Sequence, residues 1–412
     1  MNRSFRGAAL VLGTAACLVI ASCSDSDSSD SETTATSGPS TTSEQPPEIT
    51  PMIGSVVAPP IPVTGANKRT HMAYELFLTN LYTSPVTVKS VKATAGGKTL
   101  QEITGADLET WMRVYGATAP GAVLGPGQSA VVWIDATVEN EADVPDRIEH
   151  VIDIDIANPD PPLIPPTLSE TIAPVEVDKT APVVIAPPLD GPHWTDANGC
   201  CIPTPHRTAM NPINGQFRVA ERFAIDWVQL DDAGLLFTGD KTKVESYAYF
   251  GDNVHAVADG EVVAVVNDLP EQVPGASPTG LPLDQYGGNH IVQDIGDGHF
   301  VLYAHLQPGD GVKVKVGDQL STGQVIGLLG NSGNTDAPHL HFHVMDGPDP
   351  LNANGLPFEF AEFELESRLA SEDTIDTISD GGKAEYDAGV ATGPRTDELP
   401  LFLDVMKLTA GE

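Results

Sequence analysis

The sequence is short of positive charge, of cysteine and of long apolar runs, and each shortage closes off a class of function. Lys and Arg number 21 against 57 Asp and Glu in 412 residues, a formal net charge of −36. Coulomb repulsion from such a chain opposes polyanions, so no nucleic-acid partner is expected and acidic or phosphate-rich ligands are disfavoured. Four cysteines are too few for a disulfide scaffold. Beyond the N-terminus, no stretch stays apolar for the ~18 to 20 residues a membrane helix needs. What is present is 41% hydrophobic residues, enough for at least one sizeable core, in a length that suits two or three domains.

The chain begins MNRSFRGAALVLGTAACLVIASC, with Arg3 and Arg6 followed by an apolar run from Ala8 to Ile20. This is the layout of a secretory signal peptide, too short to span a bilayer comfortably. Ile20-Ala21-Ser22-Cys23 resembles the lipobox of bacterial lipoproteins. The resemblance implies cleavage after residues 1–22, a lipid on the Cys23 sulfur, and a protein anchored to the membrane by that lipid alone, on the extracytoplasmic side of the cell envelope. Ordinary secretion after cleavage nearby is the alternative. Residues 23–50, rich in Ser, Thr, Asp, Glu and Pro, have too little apolar surface to offset chain entropy and read as a disordered tether.

Residues 51–157 change to short alternating runs such as YELFLTNL, AVVWIDA and VIDIDI, punctuated by Pro, Gly and Asn. Several strands with no long helix predict a β-sandwich, a binding or spacing module with a possible protein partner. Its histidines, His71 and His150, are far apart in sequence and read as surface or packing residues. Residues 158–188 are dense in proline and read as a semi-rigid connector. Nine of the 11 histidines then fall between His193 and His343.

The strongest local signal is PHLHFHV, Pro338 to Val344. In a strand, His339, His341 and His343 project to one face and Leu340 and Phe342 to the other. Two or three imidazoles on one face supply a metal ligand and a neighbouring base. Upstream the chain reads VHAVADGEVVAVV, GGNHIVQDIGDGHFVLYAHLQPG and VKVKVGDQLSTGQVIGLLGNSGN. Over roughly residues 205 to 347 this ordered set resembles the lysostaphin and LytM type of zinc metallopeptidases, which cleave peptide bonds in peptidoglycan. The resemblance implies an all-β fold, the sandwich being followed by a β-sheet peptidase core (the duplicated hybrid motif) within residues 189–370, with 371–412 as a C-terminal extension. It also implies Zn2+ as cofactor and peptidoglycan peptides as substrate. Within it, His341 is a metal ligand, His339 the general base and His305 a transition-state partner.

The aspartate ligand of the family pattern falls on Asp226, in RFAID, where Arg222, Ala224 and Asp226 are expected to share a face. Four residues earlier the pattern has histidine and this chain has Arg222, whose guanidinium has no lone pair for a metal. His206 is the candidate replacement if residues 205–210 and 216–228 form a hairpin that brings it alongside; a satisfied histidine near a strand end is the other reading. Arg222 then stands beside the site as an electrophile, or else pairs with Asp226 in place of the metal. His255 and His290 are weaker ligand candidates, and His299 and His343 read as groups that contact the ligands rather than the metal, or as exposed residues. The competing function is a catalytically degenerate lipoprotein that binds peptidoglycan or activates another hydrolase. Cys200 and Cys201 are adjacent, leaving a vicinal disulfide, pairing between molecules, or metal binding open.

Overall fold

The computed structural model describes residues 48–276 and 278–411. The expected signal peptide, Cys23 and most of the tether lie outside the described residues. The described chain is all-β: strands dominate, with two short α-helices, Asp107–Trp111 and Asp373–Ser379.

Two five-stranded sheets face each other at the N-terminal end. One runs in the order Met52–Val56, Thr70–Asn80, Ser129–Val138, Met112–Val114, and the other Thr167–Glu176, Arg147–Ile156, Val86–Ala95, Lys98–Thr104. The alternation read in the sequence is what closes them. Met72, Tyr74, Leu76 and Leu78 from one sheet meet Val86, Val88, Ile152 and Ile154 from the other. His150 sits inside this core, bonded to the Tyr74 hydroxyl and to Ala173 O, each at 2.8 Å. Burial pushes its pKa down to about 4, so it packs as a neutral ring.

The expected connector at 158–188 needs correcting, because Thr167–Glu176 is an edge strand that completes the sandwich. It accommodates Pro174 at a register shift between Ile172 and Val175, which an edge strand tolerates because its outer N–H groups need no partner.

The second half is built on an eleven-stranded sheet. Its central order is Gly260–Val266, Asn289–Gly296, His299–Leu306, Leu340–Met345, Ile225–Gln229, Gly191–Ala197, Asp404–Leu408, Phe363–Arg368. Residues 371–412 are therefore not an appendage, since Asp404–Leu408 lies in the interior of this sheet. Beneath it Phe342, Phe358 and Phe360 pack with Trp227 and Tyr303.

Ile49–Glu412 forms one unit, and the strand Thr70–Asn80 is its hinge of packing. One face fills the sandwich core, while Ala73 on the other belongs to the core of the large sheet. Consequently nearly every residue of that strand is buried.

Candidate metal centre

Neighbouring strands set the first two donors. Ile225–Gln229 runs antiparallel to Leu340–Met345, with Asp226 directly opposite His341. Leu340 and Phe342 enter the apolar core, which turns the histidines of Leu340–Met345 to the opposite face. Asp226 Oδ1 lies 3.0 Å from His341 Nδ1 and 3.3 Å from His339 Nε2. Its Oδ2 accepts from Asn198 Nδ2 at 2.9 Å and lies 3.2 Å from His206 Nε2. His206, Asp226 and His341 each offer one donor atom within 4.8 Å of the other two.

His206 reaches the site by a different route from the one its sequence suggests. The hairpin joins Asn211–Ile213 to Gln216–Arg218, and His206 precedes it in a turn. Its Nδ1–H donates to Ala224 O at 3.2 Å, leaving Nε2 as the free nitrogen.

Arg222 requires two corrections: it neither flanks the site as an electrophile nor pairs with Asp226. The strand begins only at Ile225, and residues 219–224 turn, with Arg222 N–H donating to Val219 O and Ala224 N–H to Glu221 O. The guanidinium consequently points away and donates to both oxygens of Glu75.

The protons on the remaining ring nitrogens fit a cation between the three donors. His341 Nε2 lies 3.0 Å from His343 Nδ1. If that Nε2 carries the proton, Nδ1 presents a lone pair to Asp226, just as His206 Nε2 does. Two imidazole lone pairs facing one carboxylate at hydrogen-bond range are unfavourable unless a proton or a metal lies between them. The electrostatics agree. Burial resists ionisation of Asp226, but His206 and His339 outweigh it and hold its pKa well below the usual range. Burial also resists charge on His206, and Asp226 reverses that, pushing the pKa up to about 9.

His339 donates Nδ1–H to Ala337 O at 2.9 Å, which fixes Nε2 as the basic nitrogen beside Asp226. His305 donates Nδ1–H to Ser332 O at 2.7 Å, and its ring centroid is 4.5 Å from that of His339. Burial, followed by His339 and His341, drives the His305 pKa well down, so it rests neutral. His305 has a φ of +62°, an uncommon conformation for a non-glycine residue. Gly288 and Gly333 make room for the loop that holds it. A Cβ on Gly288 would stand 2.2 Å from Ser332 O, and one on Gly333 2.3 Å from Gly288 N.

The structure thus brings together Asp226, His206, His339, His341 and His305. His343, fully buried on the same face as His341, joins them through its Nδ1. Asn198 escaped sequence reading, since nothing near it in the chain signals its bond to Asp226. His255 and His290 are engaged elsewhere, on Gly323 O and Gly288 O. Cys200 and Cys201 form a vicinal disulfide. Cys201 also comes within 4.8 Å of His71 and Asp135, but its sulfur is bonded to Cys200 and the His71 nitrogens face Asp135 and Asn67.

Residues 242–353 match peptidase family M23. The matched span holds His305, His339 and His341 but begins downstream of His206 and Asp226. Similar proteins include the peptidoglycan DD-endopeptidase ShyA of Vibrio cholerae, 40% identical over 104 residues, covering 22% of this chain and 24% of that protein. The glycyl-glycine endopeptidase ALE-1 of Staphylococcus capitis is 33% identical over 123 residues, 30% of this chain and 29% of that one. Among solved structures, the catalytic domain of the prophage-encoded M23 protein EnpA from Enterococcus faecalis aligns at 18% identity and a TM-score of 0.24. That alignment covers 43% of this chain and 93% of the other. The chain spans about a quarter of the length of the curated relatives it matches.

Proposed function

We propose that this protein is a zinc metalloendopeptidase that hydrolyses peptide bonds of peptidoglycan from the extracytoplasmic side of the cell envelope, held to the membrane through a lipid on Cys23. The observation that carries the reading is the convergence of one donor atom each from His206, Asp226 and His341 within 4.8 Å, His206 Nε2 and His341 Nδ1 both facing the Asp226 carboxylate and the second nitrogen of each histidine engaged by a neighbour. Two imidazoles and a carboxylate suit Zn2+ and leave a coordination position free. When bound there, zinc supplies a Lewis acid for the scissile carbonyl and lowers the pKa of water.

The chain's own groups do the rest. His339 takes a proton at Nε2, because Ala337 O holds its Nδ1–H. Asp226 beside it stabilises the imidazolium that results, and the proton then passes to the departing amine. His305, anchored through Nδ1–H on Ser332 O with its ring beside that of His339, orients the substrate. The cluster of relatives acting on peptidoglycan supports the substrate class. The degenerate binding module was favoured by Arg222, and His206 standing in the space beside Asp226 removes that support.

Zinc content measured by mass spectrometry, together with digestion of purified peptidoglycan, tests the reading. About one zinc per chain and new amine ends are expected. His206→Ala, Asp226→Ala and His341→Ala should lose zinc, whereas His339→Ala should keep it and lose ~10² to 10⁴ in rate. A parent protein that binds no zinc yet sediments with cell walls would establish the binding module instead. Cys23→Ala should move the protein out of the detergent phase.

A further inference from the structure

We infer that the N-terminal sandwich is a working part of the metal centre, with Glu75 as the positioning residue that holds His206 in place. This rests on the reading of His206 as a ligand. Glu75 lies on the strand Thr70–Asn80, on the face turned away from the sandwich core, and is 0% exposed. Its carboxylate accepts from two guanidinium groups of the peptidase half, Arg207 and Arg222, which are 1% and 5% exposed.

Each arginine controls one of the two turns that meet at His206. Arg207 is the next residue in the chain. Besides Glu75, its guanidinium donates to Tyr74 O at 2.8 Å and Ile134 O at 3.0 Å, both on sandwich strands, and its backbone N–H donates to Thr204 Oγ1 at 3.2 Å. Arg222 sits in the turn of residues 219–224, which ends at Ala224. That residue supplies the carbonyl that receives His206 Nδ1–H. One carboxylate therefore clamps both partners of the contact that aims His206 Nε2 at Asp226. Burying two cations with one anion is costly, and a sandwich serving only as a spacer has no use for it. Arg222 at the usual histidine position, His206 at a new one and Glu75 between their segments form a single compensated arrangement.

The experiment measures zinc dissociation constants of the full chain by chelator competition, with circular dichroism of the metal-free protein as the check on folding. Glu75→Gln should weaken zinc about 10- to 100-fold, the range for outer partners of metal ligands. Arg207→Met leaves a one-to-one Glu75–Arg222 pair, so it avoids an excess buried charge and should weaken zinc similarly. Amide hydrogen exchange on the unaltered chain provides a third readout: adding zinc should increase protection in Thr70–Asn80 as well as in residues 204–226. Zinc affinity within twofold of the parent in both folded variants, or no zinc-dependent protection in Thr70–Asn80, would overturn the inference. If His206→Ala also leaves zinc affinity unchanged, the ligand assignment itself has failed. If that variant loses zinc while Glu75→Gln and Arg207→Met do not, only the role of the sandwich has failed.

Discussion

Glu170→Gln should make the protein more stable at alkaline pH and leave it nearly unchanged in acid. Glu170, on the sandwich edge strand Thr167–Glu176, is 2% exposed. Its carboxyl accepts the Met52 N–H at 3.2 Å. Burial lifts its pKa from an ordinary 4.5 to about 7, the Met52 bond only partly offsetting it. A group whose pKa is raised by folding contributes stability that is fully present below its unfolded pKa and is lost as pH rises through its folded one. The loss should therefore run from about pH 4.5 to just above 7. At about 1.4 kcal/mol per unit, the rise corresponds to about 3 kcal/mol. Glutamine keeps an oxygen for Met52 and carries no charge, so it removes this loss. Urea unfolding of chelator-treated protein across pH 4.5 to 8 measures the effect. Glu271 and Glu359 are also raised to about 7 by burial, but both proteins share them, so the difference isolates Glu170. A difference between variant and parent that stays flat across the series would refute the argument.

His343→Ala removes the ring that orients His341 through its Nε2, and chelator competition should show zinc weakened about 10- to 100-fold. His305→Ala should retain zinc by mass spectrometry while peptidoglycan digestion slows by about 10² or more. Phe342→Ala empties a fully buried position packed against Tyr303, Phe358 and Phe360, and denaturant titration should show a loss of about 3 to 5 kcal/mol.

The histidines of PHLHFHV were legible because a strand has a fixed period: placing Phe342 in the core leaves His341 and His339 no other face. Asp226 was legible through the resemblance, which places an aspartate there, and the strand period sets it on the face opposite Ile225 and Trp227. His206 was recognisable as a residue type, but its route was not. Sequence alternation suggested a hairpin register, whereas a turn and one bond to Ala224 O place it. Arg222 misled because alternation was extended back through residues that turn instead. Glu75 was invisible as a functional residue, being 147 positions from Arg222 with no local pattern to link them. Thr167–Glu176 was hidden by the prolines before and within it, and Asp404–Leu408, five residues long, was too short to announce a place in the interior of a sheet.

That last strand sets an order of events. Gly191–Ala197 pairs with Ile225–Gln229 on one side and with Asp404–Leu408 on the other, so it stands as a bare edge, one strand from Asp226, until residues 404–408 are available. Phe363–Arg368 joins the sheet only through the same late strand. The sheet that carries the candidate metal centre is therefore finished only once residues 404–408 have joined it. A chain stalled or cut before residue 404 leaves an unfinished sheet with an open, aggregation-prone flank.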